Sequence, residues 1–226
     1  MSDPKQTLSP AEVTDAGIED WRYIMSRITA RFRTKDFATG LKLVAMIGEA
    51  AEEADHHPDI TLVYTDVVVT LSSHDVRGVT SRDIDLARSI SGFAAELGVV
   101  GDVAGLTQVE LGLDTEDGSR HAALYAALLG SRVVDGEPVD PTHQAPTLWW
   151  QGQPETGEDY PELPEPAVEQ RWHLDVWVAV DEAESRLAAV LEAGGRLVSD
   201  AAAPSYWVIE DADGNRSCIC TSADRT

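Results

Sequence analysis

Apolar positions change their period along this chain, and each change predicts an element. In "RITARFRT" (27–34) they alternate, with Ile28, Ala30 and Phe32 on one side, as in a half-buried strand. From Asp36 the period lengthens. Phe37, Leu41, Val44, Ala45, Ile47 and Gly48 recur at helical spacing as far as Ala54, and the helix is predicted to stop ahead of Pro58, because the residue before a proline is pushed out of the helical region. Upstream, "LSPAEVTDAGIEDW" predicts a short helix with Ser9 as N-cap, Pro10 at the first helical position and Glu12 completing a capping box. Downstream, "ITLVYTDVVVTLSS" is rich in β-branched residues and predicts one strand; "HDVRGV" then turns, and "TSRDIDLARSISGFAAELG" predicts a helix that Thr80 and Asp83 open as a capping box and Gly98 closes. Helix, hairpin, long helix, strand and helix make an α+β unit over residues 1–100.

"VVGDVAGLTQ" is small and weakly patterned, as a linker is. Beyond it the pattern repeats. "HAALYAALLGSRVV" (121–134) and "ESRLAAVLEAGGRLV" (184–198) each predict an amphipathic helix closed by glycine and followed by an apolar strand, and each is preceded by a strand, "VELGLD" and "WHLDVWVAV". The acidic, proline-rich "QGQPETGEDYPELPEPAVEQ" between them predicts an exposed connection. "YWVIEDADGNRSCICTS" closes the second unit, 105–222, as two strands around an Asp-Gly-Asn turn.

Composition narrows the function classes. Of 226 residues, 43% are hydrophobic and 25% charged, the profile of a globular chain with a packed core. The formal net charge of -23 argues against nucleic acid and anionic membrane surfaces as partners, since binding phosphate needs a basic footprint. The first 100 residues carry 10 Lys+Arg against 16 Asp+Glu and the remainder 7 against 24, so the acid excess sits mostly in the second part, where its plain reading is a solvated surface. Cys218 and Cys220, the chain's 2 cysteines, point the same way on one strand, cannot bridge without strain, and read as core. The start has no apolar signal-like run and no stretch nears 18 apolar residues, so the expected compartment is the cytoplasm.

The candidate chemistry begins at "EEADHHPDI" (52–60). Adjacent histidines at a helix end form a plausible C-cap, since cations favour that terminus. Against this stands their spacing: Glu52 lies one turn before His56, Tyr64 follows on the next predicted strand, and His74 lies where that strand leaves the sheet, so three imidazoles occupy element ends, where sites are assembled. Glu52 is expected to hydrogen-bond His56, while the neighbouring Glu49 and Glu53 read as solvated helix face. A metal held by His56, His57 and His74 is the alternative, and it lacks a carboxylate at a spacing that demands one.

The ordered set Glu52, His56-His57-Pro58, Tyr64, His74 and Asp83 resembles the signature of the pterin-4a-carbinolamine dehydratases. "FRTKDFATGLKLVAMIGEAAE" resembles that family's entry into its long helix, and Trp21 its early tryptophan. The likeness covers residues 9–98. It implies an antiparallel sheet with helices on one face, and a hydro-lyase that dehydrates 4a-hydroxytetrahydropterin to quinonoid dihydropterin, the recycling step after an aromatic amino acid hydroxylase. Imidazole suits that chemistry, because its free pKa of about 6.5 serves proton donation and removal near neutrality. By the same resemblance His56 and His57 are the acid/base pair, His74 binds or relays across the pterin, and Asp55, Pro58, Ser72, Ser73 and Asp75 line the substrate. Asp75 departs from the pattern, standing where many members carry glutamate. No metal and no cofactor besides the pterin substrate is implied, and a homo-oligomer is expected.

The second unit resembles the glyoxalase and bleomycin-resistance type domains of the vicinal oxygen chelate superfamily, through "HLDVWV", "LAAVLEAGGRLV" and "DADGN", which implies a paired βαβββ architecture. His173 matches a metal ligand of that group, but Cys218 occupies its glutamate position, Glu110 is a candidate on the opening strand, and "PTLWWQG" offers no clear ligand. A metal-dependent glyoxalase is therefore not expected. Trp149, Trp150, Trp172, Trp177 and Trp207 all lie here, as core and interface filler or as walls for a flat heterocycle. The alternative to the dehydratase is an oligomerising or regulatory scaffold with ligand capture in this second unit.

Overall fold

Cap chemistry sets the first boundary. Glu12 N donates to Ser9 Oγ (3.3 Å) while Ser9 N donates to Glu12 Oε2 (2.8 Å), and helix α1 (Pro10–Asp15) begins inside that box. It ends sooner than its sequence predicts, because Gly17 turns the chain at φ 66. The structure, a computed structural model, describes residues 4–140, 142, 146–152 and 163–223. Residues 153–162 of the acidic connection between the repeats lie outside the described residues. By contacts the chain divides into two units, the first ending at Leu106 and the second beginning at Thr107.

In the first unit β1 (Arg22–Ile24) and β2 (Arg27–Arg33) form an antiparallel hairpin, and Ile28, Ala30 and Phe32 are buried at alternate positions. Helix α2 (Phe37–Ala54) opens where Asp36 accepts from Thr39 N (2.7 Å) and buries Gly40, Leu43, Ile47 and Ala51 along one stripe. The single strand predicted next is two, β3 (Asp59–Leu62) and β4 (Asp66–Leu71), folded against each other through a turn at Tyr64-Thr65 that Val63 N closes onto Asp66 O (2.9 Å). Only Asp66 in "VYTD" is a turn former, while Val63, Tyr64 and Thr65 favour strands, so β propensity runs almost unbroken across the reversal. Tyr64 therefore sits on a hairpin tip and is 73% exposed.

Helix α3 (Ser81–Glu96) starts at the predicted box: Thr80 N donates to Asp83 Oδ2 (2.8 Å). The segment read as a linker is partly structured. Val99 and Leu106 are buried, and β5 (Val100–Gly101) pairs with β2. The resulting antiparallel sheet runs β1-β2-β4-β3, with β5 sharing the β1 side of β2. Helices α2 and α3 cover the face bearing Ile28, Ala30, Phe32, Val67, Val69 and Leu71. Trp21 stands edge-on to Phe32 at 6.2 Å and anchors on Ser91 Oγ.

The second unit shows its repeat in the caps. Its first module is β6 (Gln108–Asp114), α4 (Ser119–Leu128), β7 (Arg132–Val134), β8 (Glu137–Val139) and β9 (Thr147–Gln151). Its second is β10 (Trp172–Trp177), a 3₁₀ turn (Val180–Glu182), α5 (Ala183–Glu192), β11 (Arg196–Ser199), β12 (Tyr206–Glu210) and β13 (Arg216–Cys220). Helix α4 closes with Gly130 at φ 65 and Ser131 N on Ala126 O (2.8 Å); α5 closes with Gly194 at φ 98 and Gly195 N on Val190 O (3.0 Å). In each module the first strand pairs in parallel with the last, β6 with β9 and β10 with β13, and the antiparallel β6–β10 pair joins the modules. The six-stranded order is β11-β12-β13-β10-β6-β9, with β7 and β8 as a separate pair. Among the described residues no helix is long and apolar enough to cross a membrane.

Phe32 is fully buried in the centre of the first core. Phe32→Ala is expected to destabilise that unit by about 3–5 kcal/mol, the usual cost of an aromatic cavity, read as a lower urea midpoint.

Candidate active site

The end of α2 aims His56. Asp55 adopts the left-handed conformation (φ 47, ψ 41) and His56 N donates to Ala51 O (3.1 Å), so the chain leaves the helix through a Schellman-type turn. His56 is thereby only 7% exposed, and its Nε2 lies 2.8 Å from Asp83 Oδ1. Asp83 is completely buried. Its other oxygen, Oδ2, accepts from Thr80 N (2.8 Å) and from Ser73 Oγ (2.7 Å), and Ser73 Oγ lies 2.8 Å from Thr80 Oγ1. One carboxylate thus ties together the end of α2, the exit of β4 and the start of α3.

The expected Glu52–His56 bond is not the one formed. An i to i+4 contact needs both residues inside the helix, and the left-handed Asp55 takes His56 out of it. Glu52 Oε1 instead lies 3.1 Å from His57 Nε2, with both side chains largely in solvent. His56 pairs with Asp83, which the sequence marks twice, as a helix cap and as the last signature residue, without marking its partner.

Ser73 is 1% exposed with its hydroxyl turned to Asp83, so its side chain stands behind His56. Its backbone is fixed too, Ser73 N donating to Gly78 O (2.8 Å). His74, the next residue, is exposed, and Ser72 and Pro58 are half-buried. Asp75 is exposed and ion-paired to Arg82 (2.6 Å) and Lys5 (3.4 Å); the Arg82 hydrogen bond, with a smaller share from Lys5, holds its carboxyl below the usual aspartate range. Asp55, also exposed, has its conformational task at the cap. Thr80 is the contributor that sequence reasoning passed over, although its capping role signals its position.

In the second unit, strand alternation sets Glu110, Gly112 and Asp114 of β6 and His173, Asp175 and Trp177 of β10 on one face. Gly112 lets the His173 ring lie across β6, since a Cβ there would meet its Cε1 at 2.4 Å. His173 stands edge-on to Trp149 (5.6 Å) and within 3.5 Å of Asp114 and 3.7 Å of Asp175; Trp177 Nε1 donates to Glu110 Oε2 (2.9 Å). Cys218, half-buried, is the register partner of Asp175. Burial raises the Asp114 carboxyl above the aspartate range, against the pull of His173 and Arg171. Among the described residues no three His, Cys, Asp or Glu groups gather as a metal site would, in either unit.

Residues 6–93 match the family model described as Pterin 4 alpha carbinolamine dehydratase, and residues 110–220 the one described as Glyoxalase-like domain. Over 91 residues the chain is 38% identical to a protein of Thermosynechococcus vestitus named "Putative pterin-4-alpha-carbinolamine dehydratase", covering 39% of this chain and 96% of that one. A protein of the same name from Nocardia farcinica shows the same identity and coverage. A crystal structure titled as a transcriptional coactivator/pterin dehydratase from Brucella melitensis is 34% identical, covering 39% of this chain and 99% of that chain, with a TM-score of 0.38. Through its first unit the chain belongs to the pterin-4a-carbinolamine dehydratase family.

Two outcomes test these placements. Asp55→Val, which forces a β-branched residue into the left-handed region, is expected to cost about 1–3 kcal/mol in denaturant unfolding. An acid whose folded pKa is raised by partial desolvation weakens folding as pH rises through its titration range. Asp114→Asn is therefore expected to raise the thermal midpoint at pH 7, and that gain should vanish below the ordinary aspartate value of 3.8.

Proposed function

We propose that the first unit dehydrates a 4a-hydroxytetrahydropterin to the quinonoid dihydropterin. The observation carrying this reading is the buried His56–Asp83 pair, flanked by His57 in sequence and joined through Ser73 to the segment of His74. In the elimination, an imidazolium gives a proton to the 4a hydroxyl, the C–O bond breaks as water leaves, the ring nitrogen's lone pair forms the new double bond, and a ring N–H proton passes to a base. Two proton transfers in one turnover call for two imidazoles in opposite protonation states, and His56, His57 and His74 supply three candidates. A proton donor held by a carboxylate keeps its orientation through the step, as His56 is held here. The reaction needs neither metal nor redox cofactor, since no electrons change hands. Its substrate comes from a pterin-dependent hydroxylase, and the second unit acts as an accessory domain.

Formation of quinonoid dihydropterin from enzymatically generated carbinolamine, followed by absorbance, tests the reading. His56→Ala is expected to lower the rate by about 10²–10⁴-fold, with His57→Ala and His74→Ala also well below the native protein. Equal rates in all four proteins would leave the scaffold reading in its place.

A further inference from the structure

The hydrogen bonds behind His56 form a directed chain. Arg82 N donates to Thr80 Oγ1 (3.2 Å), Thr80 Oγ1 and Ser73 Oγ are 2.8 Å apart, and Ser73 Oγ donates to Asp83 Oδ2 (2.7 Å). Each hydroxyl owns one hydrogen. With the Ser73 hydrogen given to Asp83, the Thr80 hydrogen goes to Ser73 Oγ or to Asp83 Oδ2 itself (3.2 Å), and the Thr80 oxygen accepts from Arg82 N–H. Thr80 N adds a second donor to the same Asp83 oxygen (2.8 Å). All hydrogens therefore point at Oδ2, and Oδ1 faces His56 Nε2. An ionised carboxylate only accepts, so the hydrogen between Oδ1 and Nε2 belongs to the imidazole.

We propose that Asp83, held in place by these donors as an acceptor-only carboxylate, fixes the tautomer of His56, with Nε2–H bound to Asp83 and Nδ1 as the ring atom that exchanges protons with a bound molecule. Ser73 and Thr80 are then positioning residues that act through Asp83, a role distinct from lining the substrate. The identity of the molecule facing Nδ1 rests on the dehydratase reading; the tautomer does not. Asp83→Asn keeps the shape and inverts the hydrogen bonding. Its carbonyl oxygen must accept from Ser73 and Thr80, which turns the NH₂ toward His56 and forces Nε2 to become the acceptor. His56 then carries its hydrogen on Nδ1, the atom that should be free to act.

The experiment is long-range ¹H–¹⁵N correlation of the imidazoles in the full-length protein above the pH of histidine protonation. The chain has 6 histidines, and His56→Ala assigns the relevant set. The native protein is expected to show His56 as the Nε2–H tautomer, Asp83→Asn as the Nδ1–H tautomer, and Ser73→Ala, which leaves the carboxylate an acceptor, as Nε2–H again. In the dehydration assay Asp83→Asn should lose about 10²-fold or more and Ser73→Ala about 10-fold, with KM little changed in either. Thr80→Ser, which keeps the hydroxyl, should retain the native rate that Thr80→Val loses. A native Nδ1–H tautomer, or an Asp83→Asn spectrum identical to the native one, would overturn the proposal while leaving the dehydratase reading standing. Absence of dehydration with the Nε2–H tautomer intact would do the reverse.

Discussion

A single carboxylate, that of Asp83, is the constraint on which the first unit depends. It is wholly buried, and a buried charge costs several kcal/mol unless its lone pairs are met. They are met from three directions: by the start of its own helix, by the exit of β4 and by the imidazole at the end of α2. The requirement to satisfy it therefore registers α3 against α2 and β4 more tightly than apolar packing would, since Ile84, Ala87 and Ile90 could tolerate small slides and the hydrogen bonds cannot. The capping box that starts α3 and the device that holds His56 share one side chain. Stability and site geometry are coupled at that point.

Helix ends do the remaining placement. The left-handed Asp55 turns His56 inward and leaves His57 in solvent beside Glu52, so two adjacent and chemically identical side chains receive opposite environments. One is nearly dry and hydrogen-bonded to Asp83; the other is largely exposed beside Glu52. Asp75, by contrast, is committed to Arg82 and Lys5 at the surface.

The second unit solves a different problem with repetition. Two helices with matching glycine caps cover one face of a six-stranded sheet, and the other face collects His173, Asp175, Glu110 and Trp177. Among its described residues Asp175 and Glu210 are buried acids, the latter against Arg196 and Arg216.

The elements of both units were legible wherever the signal is local. Capping residues, periodicity and glycine stops depend on a few neighbours, so the α1 and α3 boxes, the alternation of β2 and the twin caps of the repeat follow from the chain alone. The β3–β4 turn did not, because Tyr64-Thr65 reverses direction with residues that favour strands, and only pairing with β2 and packing under α2 repay the reversal. The candidate site divides along the same line. The sequence by itself determined a helix that must end before Pro58 with two histidines at its close, and an aspartate that caps the next helix. Only the tertiary structure decided the partners, giving Asp83 to His56 and Glu52 to His57, because a hydrogen bond spanning 27 residues is set by where two elements pack and not by spacing along either.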